Sequence, residues 1–144
     1  MTSSHPVILC GKSEAIGAVV IENLKPEFEV IQFIQNVDAG KIQIPTLLRG
    51  EKPESSGSSL GSKNYARAPV AIFLGAAFDD RDIQELRKAA ESTTKVPWLR
   101  PDTTKPAPPP GPEYGKAMVA RIKETVKGLE GRTELKGNGD VVWF

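Results

Sequence analysis

The chain has 144 residues, with 19 Lys plus Arg against 18 Asp plus Glu, one His and one Cys. That length makes a single domain the default and allows a sizeable core, and the net charge of +1 gives no reason to expect nucleic acid or another polyanion as partner. One cysteine excludes an internal disulfide and a four-cysteine zinc site, which points to a reduced, cytoplasmic setting.

Val7–Cys10 is a short apolar run ending at Gly11, the pattern of a strand buried on both faces of a parallel sheet. Ser13 is placed to cap a helix in which Ala15, Ile16, Val19, Val20 and Leu24 recur at helical spacing. Pro26 stops that helix and pushes Lys25 toward extended geometry. Phe28–Ile34 follows as a second strand rich in β-forming residues. Over Ala39–Arg49 the pattern is weaker. Ile42, Leu47 and Leu48 fit a short helix with Pro45 in its first turn and Gly50 closing it.

Glu51–Lys63 is polar and Ser/Gly-rich, the composition of a flexible surface loop. Val70–Leu74 reads as the third strand, and at this length it falls far short of the ~20 apolar residues that span a bilayer. Nothing after Met1 has the form of a signal peptide, so no membrane association is expected. Asp79 then caps a helix carrying Ile83, Leu86 and Ala90 on one face, with Asp82 where a capping box places its acid. Val96–Leu99 makes a short fourth strand, and Pro101–Pro112 is a proline-rich connection that neither helix nor sheet absorbs.

The last helix is the clearest amphipathic element, with Tyr114, Ala117, Met118, Ile122, Thr125, Val126 and Leu129 forming one stripe. A turn signal at Gly137–Asp140 leads into Val141–Phe144, read as an edge strand. The 13 glycines and 12 prolines are unevenly spread: twelve of them fall in Gly50–Gly61 and Pro101–Gly115, which marks two loops rather than a disordered chain. This alternation of strands and helices predicts one α/β domain over residues 1–144. It is a three-layer αβα sandwich around a four-stranded parallel sheet of order 2-1-3-4, plus the C-terminal edge strand.

Ligands of open parallel sheets bind beyond the carboxyl ends of the strands, here at Gly11–Gly17, Gln35–Asp38, Gly75–Asp79 and Arg100–Lys105. Gly11-Lys12-Ser13 fails as a P-loop, since that motif needs an earlier glycine where Pro6 stands. Gly11-Lys12-Ser13-Glu14-Ala15-Ile16-Gly17 instead resembles the cofactor turn Gly-x-x-x-Gly-Ile-Gly of short-chain dehydrogenases, with Ala15 in place of the middle glycine. The resemblance implies a Rossmann-like NAD(P)-binding fold, with Gly11, Lys12, Ser13, Ala15, Ile16 and Gly17 at NAD or NADP and Asp38 as the nearest acid for a ribose hydroxyl. Together with Val96–Asp102, the turn is also similar to small single-domain Rossmann-like proteins of filamentous fungi. The catalytic Tyr-x-x-x-Lys of the dehydrogenases is absent: Pro69 follows Tyr65 at that spacing and Met118 follows Tyr114.

Asp79 reads as a helix cap or as a rim carboxylate acting as general base. Arg100 and Asp102 read as an exposed pair or as a clamp for a carboxylate or phosphate. Cys10 is either a thiolate favoured by a helix N-terminus or a small buried hydrophobe. His5 lies at the end of its strand opposite the rim, so neither a Ser-His-Asp system nor a metal site is indicated. These readings favour a module that binds a nucleotide or small metabolite at the rim. The alternatives are a cofactor-free lyase, isomerase or cyclase acting on an apolar metabolite, with Asp79, Arg100 and Asp102 as its polar groups, and a homodimeric interaction protein using Trp143-Phe144 or the last helix.

Overall fold

A computed structural model describes residues 4–53, 60–93, 95–109, 111–131 and 141–144. The elements are β1 (His5–Cys10), α1 (Glu14–Leu24), β2 (Phe28–Ile34), α2 (Val37–Leu48), β3 (Ala71–Leu74), α3 (Asp80–Ala89), β4 (Trp98–Arg100), α4 (Pro112–Gly131) and β5 (Val141–Trp143). The sheet order is β2-β1-β3-β4-β5, and every neighbouring pair is parallel. The fold is therefore α/β with the strand order expected from sequence, and β5 extends the sheet to five strands beside β4. The expected turn at Gly137–Asp140, positions 54–59 of the Ser/Gly-rich stretch, Pro110 and the Leu129 side chain lie outside the described residues.

Alternation along the strands divides the core in two. Val7, Leu9, Phe28, Val30, Phe33 and Phe73 pack with Val20 and Leu24 of α1 and with Met118, Ile122 and Val126 of α4. Ile8, Cys10, Ile31, Ile34, Ile72 and Leu74 pack with Ile44 and Leu47 of α2 and with Ile83 and Leu86 of α3. The period is broken once. Val7 lies opposite Val30 but Ile8 lies opposite Gln32, so β2 holds one extra residue at this point. Ile31 and Gln32 consequently both face α2, and Phe33 is turned to the α1–α4 side.

Gln32 is fully buried there. Its amide donates to Gln43 Oε1 at 2.7 Å, and its carbonyl accepts from the Tyr65 hydroxyl at 2.6 Å and from Lys63 Nζ at 3.3 Å. Burial pushes the Tyr65 hydroxyl pKa up and the Lys63 ammonium pKa down. The amides of Ser62 and Lys63 also donate to the carbonyls of Val30 and Ile31 at 2.8 and 3.0 Å. Leu60–Lys63 is thus fastened along β2, which departs from the expectation of a free loop through Lys63. Buried amides must find partners, and this segment supplies them.

The helix termini follow local chemistry. Ser13 caps α1 by accepting from the Ile16 amide at 3.2 Å. Asp79 and Asp82 form a reciprocal capping box on α3, at 2.8 and 3.1 Å. The expected second helix requires correction. It begins at Val37 because Asn36 accepts from the Ala39 amide at 2.8 Å, so Pro45 sits late in the helix rather than in its first turn. Ile42 then points to solvent, 72% exposed, while Gln43, Ile44, Leu47 and Leu48 form the buried face. The last helix spans Pro112–Gly131, with Gly128 inside it.

The end of α2 is a Schellman motif, with Gly50 N–H donating to Leu47 C=O and Glu51 N–H to Thr46 C=O. Gly50 has φ +77° and no neighbour within 4 Å of where a Cβ would stand, so a side chain there meets conformational cost alone. Gly50→Ala is expected to lower unfolding free energy by about 1 kcal/mol, with the urea m-value unchanged. A neutral or stabilising result in urea denaturation would contradict this termination of α2.

Candidate functional site

The carboxyl ends of β1 and β3 open into a cavity of about 390 Å³ between α1 and α4. One wall is the β1–α1 turn Gly11–Ser13 with Ile16, Gly17 and Val20 of α1. The opposite wall is Tyr114, Met118 and Ile122 of α4. Leu9 and Phe33 line it from the sheet, Gly75–Ala77 and Pro101 flank it, and Phe144 closes the side toward β5. The lining is mostly hydrocarbon. Its polar residues, among those described, are Lys12, Ser13 and Tyr114, with Cys10 turning its thiol to the α2–α3 face, and none of the described lining side chains is a carboxylate or an imidazole.

Phe33 explains the glycines of the first turn. A Cβ at residue 17 would lie 2.7 Å from Cε1 and Cζ of the Phe33 ring, and one at residue 11 would lie 3.3 Å from Cε1. Phe33 is 1% exposed, and its ring occupies the space beneath the turn. Of the residues expected to hold a dinucleotide, Gly11, Lys12, Ser13, Ile16 and Gly17 line the cavity. Ala15 is exposed and outside the lining. So is Asp38, which lies in the first turn of α2.

The polar candidates at the rim are engaged elsewhere. Asp79 is the N-cap of α3. Arg100 pairs with Asp80, and its guanidinium stacks 4.3 Å from the centroid of the Trp143 ring. Trp143 itself is 51% exposed. Asp102 accepts from the Thr104 hydroxyl at 2.6 Å and the Thr104 amide at 3.0 Å, and these bonds hold its carboxyl below the ordinary range. The Asp102 amide donates to the Phe144 carbonyl, and the Phe144 amide to the Arg100 carbonyl, at 2.7 and 2.9 Å. Arg121 adds bonds to the carbonyls of Asp102 and Phe144 at 3.0 and 2.7 Å. Arg100 and Asp102 therefore lie where the chain from β4 is tied to the end of β5, and none of the three candidates is among the lining residues. His5 is at the start of β1, opposite the cavity. Among the described residues, no three His, Cys, Asp or Glu side chains cluster as metal ligands. No helix among them is long and apolar enough to cross a membrane.

The sequence pattern gives Tyr114, Met118 and Ile122 only as part of the buried stripe of α4. Their spacing identifies that stripe, but its second use as a cavity wall depends on how far α4 stands from the β1–α1 turn. Helical periodicity carries no information on that distance.

The chain is similar to Kojic acid related protein 6 of Aspergillus oryzae (strain ATCC 42149 / RIB 40). The two are 38% identical over 128 residues, 86% of this chain and 77% of that protein. No family model matches the chain, and no solved structure matches it.

Cys10, at the end of β1, is fully buried, and desolvation pushes its thiol pKa from 9.0 up to about 12. In the unfolded chain the same thiol ionises near its ordinary value. Its contribution to stability is therefore complete below pH ~9 and is lost as the pH rises toward ~12. Between those limits Cys10 should contribute a decline of about 1 kcal/mol per pH unit. Urea midpoints from pH 8 to 10.5 should fall more steeply for the natural sequence than for Cys10→Ala. Parallel curves would contradict a thiol that stays neutral in the fold.

Proposed function

The chain belongs to the family of Kojic acid related protein 6, and from that premise we propose that it is a small-metabolite-binding protein whose ligand enters the cavity at the carboxyl edge of the sheet. The observation that carries this reading is the cavity itself, about 390 Å³ and mostly apolar, placed where open parallel sheets hold their ligands. Its chemistry favours a compact ring or short aliphatic body over a dinucleotide. The Phe33 ring fills the space beneath Gly11 and Gly17, and Asp38 lies outside the lining. Hydroxyls of Ser13 and Tyr114 offer one polar edge for orientation. With no carboxylate or imidazole side chain among the described lining residues, this wall suits binding better than acid–base catalysis. It contains none of Asp79, Arg100 and Asp102, the groups that a cofactor-free lyase or isomerase would have used.

The relative's name brings one compound within the test, since kojic acid is a small planar ring bearing hydroxyl groups. Amide chemical shifts of the ¹⁵N-labelled protein should be followed on addition of kojic acid, indole, NAD and NADP separately. Saturable shifts confined to Gly11–Gly17, Gly75–Ala77 and the first turns of α4 are expected for at least one of the two ring compounds. Saturable binding of NAD or NADP at the turn, with none by the ring compounds, would overturn the reading in favour of a dinucleotide site. No saturable shift with any of the four would overturn it outright.

A further inference from the structure

Resting on the reading of the cavity as a metabolite site, we propose that its ligand is an organic anion, with the apolar body inside and the negative head at the Lys12 ammonium. Among the described residues, Lys12 is the one charged residue that borders the cavity. Among the described residues no carboxylate lies within ion-pair distance of it, and its Nζ stands 5.5 Å from the centroid of the Phe78 ring. Three neighbouring acids have contacts of their own. Asp79 and Asp82 are closed on each other's backbone in the capping box, and Asp80 is taken by Arg100. Glu14 is exposed and outside the cavity lining.

The apolar interior gives the ligand a direction. A charged head cannot be desolvated among Leu9, Phe33, Met118 and Ile122 without a partner, so it must stay at the mouth while hydrocarbon goes inward. At that mouth a cationic head would meet Lys12 with like charge, a neutral one would gain nothing from it, and an anion would gain a charge-assisted hydrogen bond. The Phe78 face holds the ammonium without neutralising it. The geometry thus makes Lys12 a specificity-determining residue, while the affinity for the apolar body comes from the walls.

Two fluorescent probes with the same hydrocarbon body separate these contributions: 1-anilinonaphthalene-8-sulfonate, which carries the anion, and neutral N-phenyl-1-naphthylamine. Dissociation constants should be measured for the natural sequence, for Lys12→Gln, and for Ala77→Phe, which fills the mouth from an exposed position. Lys12→Gln is expected to weaken the sulfonate about three- to ten-fold and to leave the neutral probe unchanged. Ala77→Phe should weaken both. Equal sulfonate affinity in Lys12→Gln, with the neutral probe still bound and still sensitive to Ala77→Phe, would overturn the anion preference alone. Failure of the neutral probe to bind, or indifference of both probes to Ala77→Phe, would overturn the cavity reading and this inference with it.

Discussion

One extra residue in β2 decides what the carboxyl edge of this sheet looks like. A strand with unbroken alternation would turn residue 32 toward α1 and α4 and residue 33 toward α2. The register shift between Val7 and Ile8 reverses this at the end of the strand, putting the Phe33 ring under the first turn and Gln32 among the polar groups of Gln43 and Tyr65. Glycine at 17 follows from that choice, because a methyl there would stand inside the van der Waals surface of the ring. The apolar cavity follows too, since Phe33 brings hydrocarbon to a place where a polar terminus of β2 would have made the edge hydrophilic.

The remaining polar chemistry near the rim secures the scaffold. Arg100 joins the start of α3 to the ring of Trp143, and Asp102 and Arg121 fasten the end of β5 to the chain leaving β4. These contacts keep Phe144 buried at the side of the cavity and Pro101 in its lining. The division of labour is physical. Charged groups that need water sit on the outer edge, hydrocarbon lines the space between α1 and α4, and among the described residues that border this space only Lys12 is charged.

Much of the architecture was legible in the sequence because its signals are local. Phe28–Ile34, the caps at Ser13 and Asp79, the stop at Pro26 and the stripe of α4 each depend on a few neighbouring residues, and the strand order followed from the spacing of those elements. The departures have non-local causes. Nothing in the composition of Phe-Glu-Val-Ile-Gln-Phe-Ile marks where its partner strand skips a residue. Gln43 is polar and reads as exposed until Gln32 is placed opposite it. Pro45 suggested a helix start because proline is tolerated best in a first turn, whereas the Asn36 cap put it near the end. At the site, the sequence places the β1–α1 turn on the rim, and that turn lines the cavity. The reason for its glycines was not readable, since the same two residues suit either a phosphate or an aromatic ring from the adjacent strand.

The central claim is that Phe33 and Gly17 form one packed unit, and a double-mutant cycle tests it most directly. Gly17→Ala, Phe33→Leu and the double substitution should be compared by urea denaturation, since leucine lacks the two ring carbons that a Cβ at 17 would meet. The account predicts a cost of about 1–3 kcal/mol for Gly17→Ala in the natural sequence and a clearly smaller one in the Phe33→Leu background, a coupling of at least ~0.5 kcal/mol. Additive effects, with Gly17→Ala equally costly in both backgrounds, would contradict it.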